Sequence, residues 1–296
     1  MSDVIRWKDD FYIRASSSMA DDRVEVLKQG ETFAVFDRFG YIHPILPGPQ
    51  GLYHEGTRFL SRLECSIGAH RPLLLSAALK EDNALLTVDL TNPDMLQDGQ
   101  ASLSRGLLHL RRMKFLWQGT YYERLCVHNY SLVEIPVTLS ITVDADYADL
   151  FEARGQQRAH RGRRLDTVLS DGEIVLAYEG LDDIVRRTHV RCTPAPAKVT
   201  ADGFVLKTQL APHAAAAWDL AIACEIEKRP AQVCRSYEQA RAEAEGTLQE
   251  ATSRDCHIYT SNEQFNDWLN RSAADLHMLI SETPEGPYPY AGVPWF

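Results

Sequence analysis

At 296 residues the chain exceeds an ordinary single domain, yet one large all-β sandwich with added elements accounts for that length. Hydrophobic residues at 45% and charged residues at 24% are globular averages, which excludes global disorder. A formal net charge of -10 excludes a nucleic-acid or anionic-membrane footprint for the chain as a whole, so neither nucleic acid nor membrane is an expected partner.

The start, "MSDVIRWKDDFYIR", is charged and lacks the apolar stretch of a signal peptide. No run of ~18 uncharged apolar residues follows, so no membrane span is expected. Cys65, Cys126, Cys192, Cys224, Cys234 and Cys256 show no C-x-x-C spacing, which points to a reducing, cytoplasmic setting. Cys126 and Cys224 fall in apolar runs and read as small core hydrophobes.

From about Glu31 to Ile226 the hydrophobic period is two. "VTLSITVD" sets Val137, Leu139, Ile141 and Val143 on one face and Thr138, Ser140, Thr142 and Asp144 on the other. "WDLAIACEI" repeats the pattern from Trp218 to Ile226, with weaker copies at "TFAVFD", "NALLTVDL", "RLCVHNY", "EIVLAYEG" and "GFVLKTQL". Alternation of this kind suits half-buried antiparallel strands, and turn signals such as Asn92-Pro93, Asp171-Gly172 and Asp202-Gly203 separate them. The expected fold is mainly β: a large antiparallel β-sandwich, of the supersandwich kind, followed by C-terminal linker helices.

Within that stretch, "DADYADLFEARG" packs Asp144, Asp146, Asp149 and Glu152 just ahead of "ARGQQRAHRGRR", which carries Arg154, Arg158, Arg161, Arg163 and Arg164. Calcium-loop spacing is not met, because no glycine follows in register. A nucleic-acid reading of the arginines would need a basic domain with interleaved aromatics. The expected arrangement is a strand end whose acids pair with the arginines of a solvated loop. "YHEGTR" has no second histidine, so it gives a zinc site little support. G-x-S-x-G, Walker, H-E-x-x-H and dinucleotide-glycine signatures do not occur. No metal or cofactor is expected.

After Pro230 the composition shifts. "SYEQARAEAEGTLQEATSRD" is rich in helix formers. A second helix is expected from a Ser261/Gln264 capping box, with Phe265, Trp268, Leu269, Leu276, Leu279 and Ile280 on one apolar stripe and Pro284 as its stop. That stripe needs a partner, either the sandwich or something else. The remaining "PEGPYPYAGVPWF" is an aromatic tail where soluble domains usually carry polar residues.

The motifs "ADYADLFEARG", "LAYEGLDDIVRRTHVRCTPAP", "GLYHEGTRFLSRLEC" and "YYERLCVHNYS" resemble the N-terminal domain of bacterial glycogen-debranching, amylo-α-1,6-glucosidase-like proteins. Gly56 stands where that family carries an aspartate, before Thr57-Arg58-Phe59-Leu60-Ser61. The resemblance implies an N-terminal sandwich over 1–230, a helical linker over 231–259, and over 260–296 the first helix and loop of an (α/α) toroid catalytic domain. It also implies that the two carboxylates of glycoside hydrolysis lie in the toroid, so no catalytic residue is assigned here. Tyr288, Tyr290, Trp295 and Phe296 then form part of a sugar-site wall, since aromatic faces suit the C–H face of glucose; packing within the toroid is the competing role for them.

Three functions follow. One is the non-catalytic N-terminal part of an α-glucan debranching hydrolase, inactive alone, with the toroid normally in cis and a reading frame that continues beyond Phe296. Another is a stand-alone module that binds glycogen or dextrin. The third is a structural domain that recruits a separate toroid protein. The apolar helix is expected to be exposed in the isolated chain and to drive self-association.

Overall fold

The computed structural model describes residues 4–7, 10–13, 24–44, 48–97, 100–229, 234–253, 256, 258–283 and 285–289. Each alternating stretch named above forms a strand, because an apolar face every second residue can be buried only by pleated pairing. One antiparallel sheet of eight strands runs in the order Arg163–Ser170, Glu173–Glu179, Val185–Thr193, Ala215–Ile226, Thr120–Asn129, Leu108–Trp117, Leu86–Thr91 and Leu73–Leu79. Lys198–Thr200, Gly203–Leu210, Ile135–Asp144 and Arg62–Ile67 form a four-stranded sheet. Val24–Gln29, Thr32–Asp37, Gly51–His54 and Thr57–Leu60 form another. Short hairpins pair Val4–Trp7 with Asp10–Ile13 and Met95–Gln97 with Gln100–Leu103.

The inner faces of the eight-stranded and both four-stranded sheets share one continuous core, which includes Phe36, Leu63, Leu90, Leu110, Leu125, Leu139, Val190, Leu206 and Ile222. The architecture is therefore an antiparallel β-sandwich. Cys65, Cys192 and Cys224 are buried, whereas Cys126 is only half-buried, because it sits on the outward phase of its strand between inward Leu125 and Val127.

The core also holds a charge cluster. Arg112 and Lys114 point inward from one strand and meet Glu123 from the next, all fully buried. Arg112 Nε reaches Glu123 Oε1 at 2.5 Å, Lys114 Nζ reaches it at 2.9 Å, and Tyr121 Oη donates to Glu123 Oε2 at 2.5 Å. Two cations around one carboxylate leave a surplus positive charge in a medium that solvates it poorly. Burial, reinforced by Arg112, accordingly lowers the Lys114 ammonium to about 7 against the opposing pull of Glu123.

The described residues form three helices. α1 (Leu150–Ala153) is a single turn inside the acidic stretch, with Asp149 as its N-cap and Glu152 completing a capping box. Sequence reading missed it, because four residues carry no helical period. α2 (Tyr237–Thr252) is capped by Ser236 and packs Tyr237 and Ala240 on Phe115, Trp117 and Tyr122. α3 (Glu263–Leu279) has Asn262 as its N-cap, accepting from Phe265 N. The expected Ser261/Gln264 capping box is therefore corrected: the helix starts one residue later, and Gln264 falls out of the N3 position.

The expected stop at Pro284 is corrected as well. α3 ends at Leu279, and Ile280–Thr283 runs extended and pairs with Gly286–Pro289. Ser281 explains the early stop: its Oγ accepts from Lys28 Nζ at 2.9 Å and donates to Gly30 O at 3.1 Å, which ties the extended segment to the sandwich. α3 buries Asn266 and leaves Phe265, Trp268 (65% exposed) and Leu276 (60%) facing out. The sandwich leaves these three positions uncovered, while Leu269 and Leu279 of the same stripe are half-buried.

Candidate functional site

Two of the motifs singled out in the sequence, far apart along the chain, are neighbours in space. Glu55 and Gly56 both adopt positive φ, 44° and 75°, and close the tight hairpin between Gly51–His54 and Thr57–Leu60. A turn with two left-handed residues matches the strand twist, and glycine enters it at no steric cost. The strand that leaves the turn, Thr57-Arg58-Phe59-Leu60-Ser61, lies along the acidic stretch. Arg58 N donates to Ala148 O at 2.7 Å, Ser61 N to Asp144 O at 2.8 Å, and Leu150 N to Gly56 O at 3.1 Å.

Side chains lock this junction. Arg58 is fully buried; its Nε donates to Asp146 Oδ1 at 3.0 Å, its Nη2 to Asp146 Oδ2, and its Nη1 to Gln50 O at 3.0 Å. Tyr147, at φ 52°, turns its ring inward against Phe59 and stacks on Tyr178 at 5.2 Å. The Tyr147 hydroxyl bonds to Leu176 O and Thr188 Oγ1, and burial raises it well above the usual tyrosine range. Thr188 Oγ1 donates in turn to Phe59 O at 2.7 Å.

Above this floor opens a polar cleft of about 290 Å³, lined by Thr57, Tyr147, Asp149, Glu152, Arg158, Arg161, Tyr178, Asp182 and Arg186. It adjoins a depression of about 390 Å³ that shares Thr57 and Arg186 and continues to Glu55, Glu227 and Arg229. The expected pairing of acids with downstream arginines is found here. Arg158 bridges to Asp149, Arg161 Nε to Glu152 Oε1 at 3.1 Å, and Arg164 to Asp144. Arg161 Nη2 also donates to Asp146 O at 2.6 Å, so the arginine loop folds back over the acids. Arg186 holds Asp182 down at about 2, so that carboxyl is no proton donor at neutral pH. The cleft offers alternating charged donors and acceptors beside one half-buried tyrosine, Tyr178. That chemistry suits hydrogen bonding to a polyhydroxylated ligand and gives no nucleophile–base pair. Among the described residues no group of three or more His, Cys, Asp or Glu could hold a metal ion.

A family model described as the N-terminal domain of (some) glycogen debranching enzymes matches residues 27–221, well over half of the chain and nearly all of the sandwich. The chain belongs to this family. Solved structures of low identity also align with this glycogen-debranching N-terminal domain. One is a provisionally named kojibiose phosphorylase from the human microbiome, at 8% identity and a TM-score of 0.47, covering 86% of this chain and 36% of that one. The chain thus spans about a third of that protein's length. A galactose mutarotase-like protein from Clostridium acetobutylicum aligns at 10% identity and a TM-score of 0.33, covering 70% of this chain and 99% of that one. A galactose mutarotase-related enzyme from Lactobacillus acidophilus gives 9% and 0.31, covering 69% and 97%. No curated protein sequence matches.

Of the tail residues expected to wall a sugar site, Tyr288 lies on the strand Gly286–Pro289, exposed and opposite Ser281. Tyr290, Trp295 and Phe296 fall outside the described residues. The cleft is built from other positions. Sequence reasoning singled out its acids and the arginines at 158 and 161, but missed Arg58, Tyr178, Asp182 and Arg186. Arg58 stood in plain view in a family motif, yet only the fold shows that Asp146 is its partner. Tyr178, Asp182 and Arg186 join through the pairing of Glu173–Glu179 with Val185–Thr193, and alternation alone does not reveal which strands pair.

Proposed function

We propose that this protein is the non-catalytic N-terminal portion of an α-glucan debranching glycoside hydrolase of the amylo-α-1,6-glucosidase type, working in the cytoplasm and supporting a catalytic toroid in cis. In this reading residues 1–230 are the sandwich, 231–259 the helical linker and 260–296 the opening of the toroid. The observation that carries it is α3. A helix at the end of a debranching-family sandwich presents Phe265, Trp268 and Leu276 away from that sandwich, as a first toroid helix must in order to meet its neighbours.

Glucose release from a branched dextrin tests the reading. The 296-residue chain should release none, and addition of a separately produced toroid domain should restore release. Glucose release by the chain alone would overturn it.

A second role, glucan contact by the sandwich, is favoured by the cleft's alternating donors and acceptors beside Tyr178. Co-sedimentation with glycogen tests it, with retention weakened in Tyr178→Ala and Arg186→Ala. Absence of retention at millimolar glucose equivalents would remove this role without touching the first.

A further inference from the structure

The C-terminal helices do not close completely on the sandwich. Between the strand Val24–Gln29, the turn at 82–84, α2 and the end of α3 lies a cavity of about 210 Å³, separate from the polar cleft. Its walls are largely apolar, formed by Leu27, Leu116, Trp117, Leu248 and Met278.

Two buried polar side chains in the lining break that pattern. Lys28 is 9% exposed, and the partner of its Nζ is a hydroxyl, Ser281 Oγ, rather than a carboxylate. Burial pulls this ammonium below its ordinary pKa, and the charge of Glu31 only partly opposes the shift. Among the described residues no carboxylate lies within ion-pairing distance of Lys28; an ammonium so removed from water is costly, and an anion in the cavity relieves it. The other is Asn83, 3% exposed, whose Nδ2 donates to Asp275 Oδ1 at 2.7 Å while its Oδ1 has no hydrogen-bond partner. That oxygen has essentially no accessible surface, so it does not open onto the cavity, and Lys28 is the buried polar group left for a ligand.

Two described acids near the cavity, Asp82 and Asp275, are engaged elsewhere. Asp82 Oδ2 is held by Lys80 at 2.6 Å while its Oδ1 accepts from Ala84 N, and Asp275 pairs with Arg271 at 3.2 Å. At ~30 Å³ per water the cavity has room for about seven waters, the bulk of a carboxylate with about six carbons.

We propose that this cavity binds a small carboxylate with a compact apolar body, the carboxylate on Lys28 and the body along Leu27, Leu116, Trp117 and Leu248. The class is defined by one negative charge and apolar bulk, which distinguishes it from a neutral sugar.

Isothermal titration of the full chain with hexanoate, 1-hexanol and glucose tests the assignment. Hexanoate should bind at least tenfold more tightly than hexanol, a difference of about 1.4 kcal/mol, and glucose should not compete. Lys28→Met should erase the preference for the acid while keeping hexanol binding. Ala251→Phe should fill the cavity and abolish both; Leu248→Trp serves the same purpose if Ala251→Phe does not fold, as judged by circular dichroism. Equal binding of acid and alcohol, a preference that survives Lys28→Met, or hexanoate binding that survives a filled cavity would each overturn the proposal. So would glucose displacing hexanoate.

Discussion

Replacing Asp146 by alanine removes both carboxylate oxygens from Arg58, a guanidinium with no exposed side-chain surface. Among the described residues the bond from Nη1 to Gln50 O remains, with the Tyr53 hydroxyl beside the guanidinium. Breaking a buried pair from one side costs roughly 3–5 kcal/mol, because the surviving charge is left uncompensated. Asp146 itself is 24% exposed, so water can partly replace it, and the lower end, about 3 kcal/mol, is the expected loss. For a chain of this size that corresponds to a fall in Tm of about 5 °C. Urea unfolding of wild type, Asp146→Ala, Arg58→Met and the double variant forms a closed cycle. The double variant should lose at least ~1 kcal/mol less than the two single losses added together, since it leaves no orphaned charge. A loss below ~1 kcal/mol in Asp146→Ala, or strict additivity, would refute the view that this pair locks the two motifs together.

Lys114 sets a pH dependence. Its folded pKa of about 7 lies below the unfolded value near ~10.4, so the unfolded chain binds the extra proton between these limits. Stability should rise as pH climbs from about 7 towards 10, and Lys114→Met should flatten that rise in chemical denaturation series. Gly56→Ala places a side chain at φ 75° and should cost about 1 kcal/mol with the fold unchanged by circular dichroism; a neutral result would mean that the turn relaxes. Trp268→Lys combined with Leu276→Lys should abolish self-association in light scattering while leaving Tm within ~1 °C, because both side chains lie outside the sandwich core. Persistent dimers in that variant would place the contact elsewhere.

The strands, the two long helices and the exposed apolar face of α3 were legible in the sequence. Periods of two and of three to four express local geometry, which each segment carries in its own residues. The pairing of the 144–152 acids with the arginines at 158, 161 and 164 was legible for a similar reason, since close spacing leaves few alternatives. The start and end of α3 were not. Asn262 outcompetes Ser261 as the cap by one residue, and Ser281 is drawn into extended backbone by Lys28 and Gly30, about 250 positions earlier.

The same division runs through the rest of the molecule. Composition and alternation determined a β-sandwich with a helical end, because burying every second side chain is a demand each strand makes alone. Which strands lie side by side was decided only by tertiary packing, and with it the meeting of Arg58 with Asp146, of Glu123 with two cations, and of Tyr178 and Arg186 with the acidic turn. Those contacts join residues up to 88 positions apart. Their energies arise only once the sheets have excluded water, and a linear sequence does not display that condition.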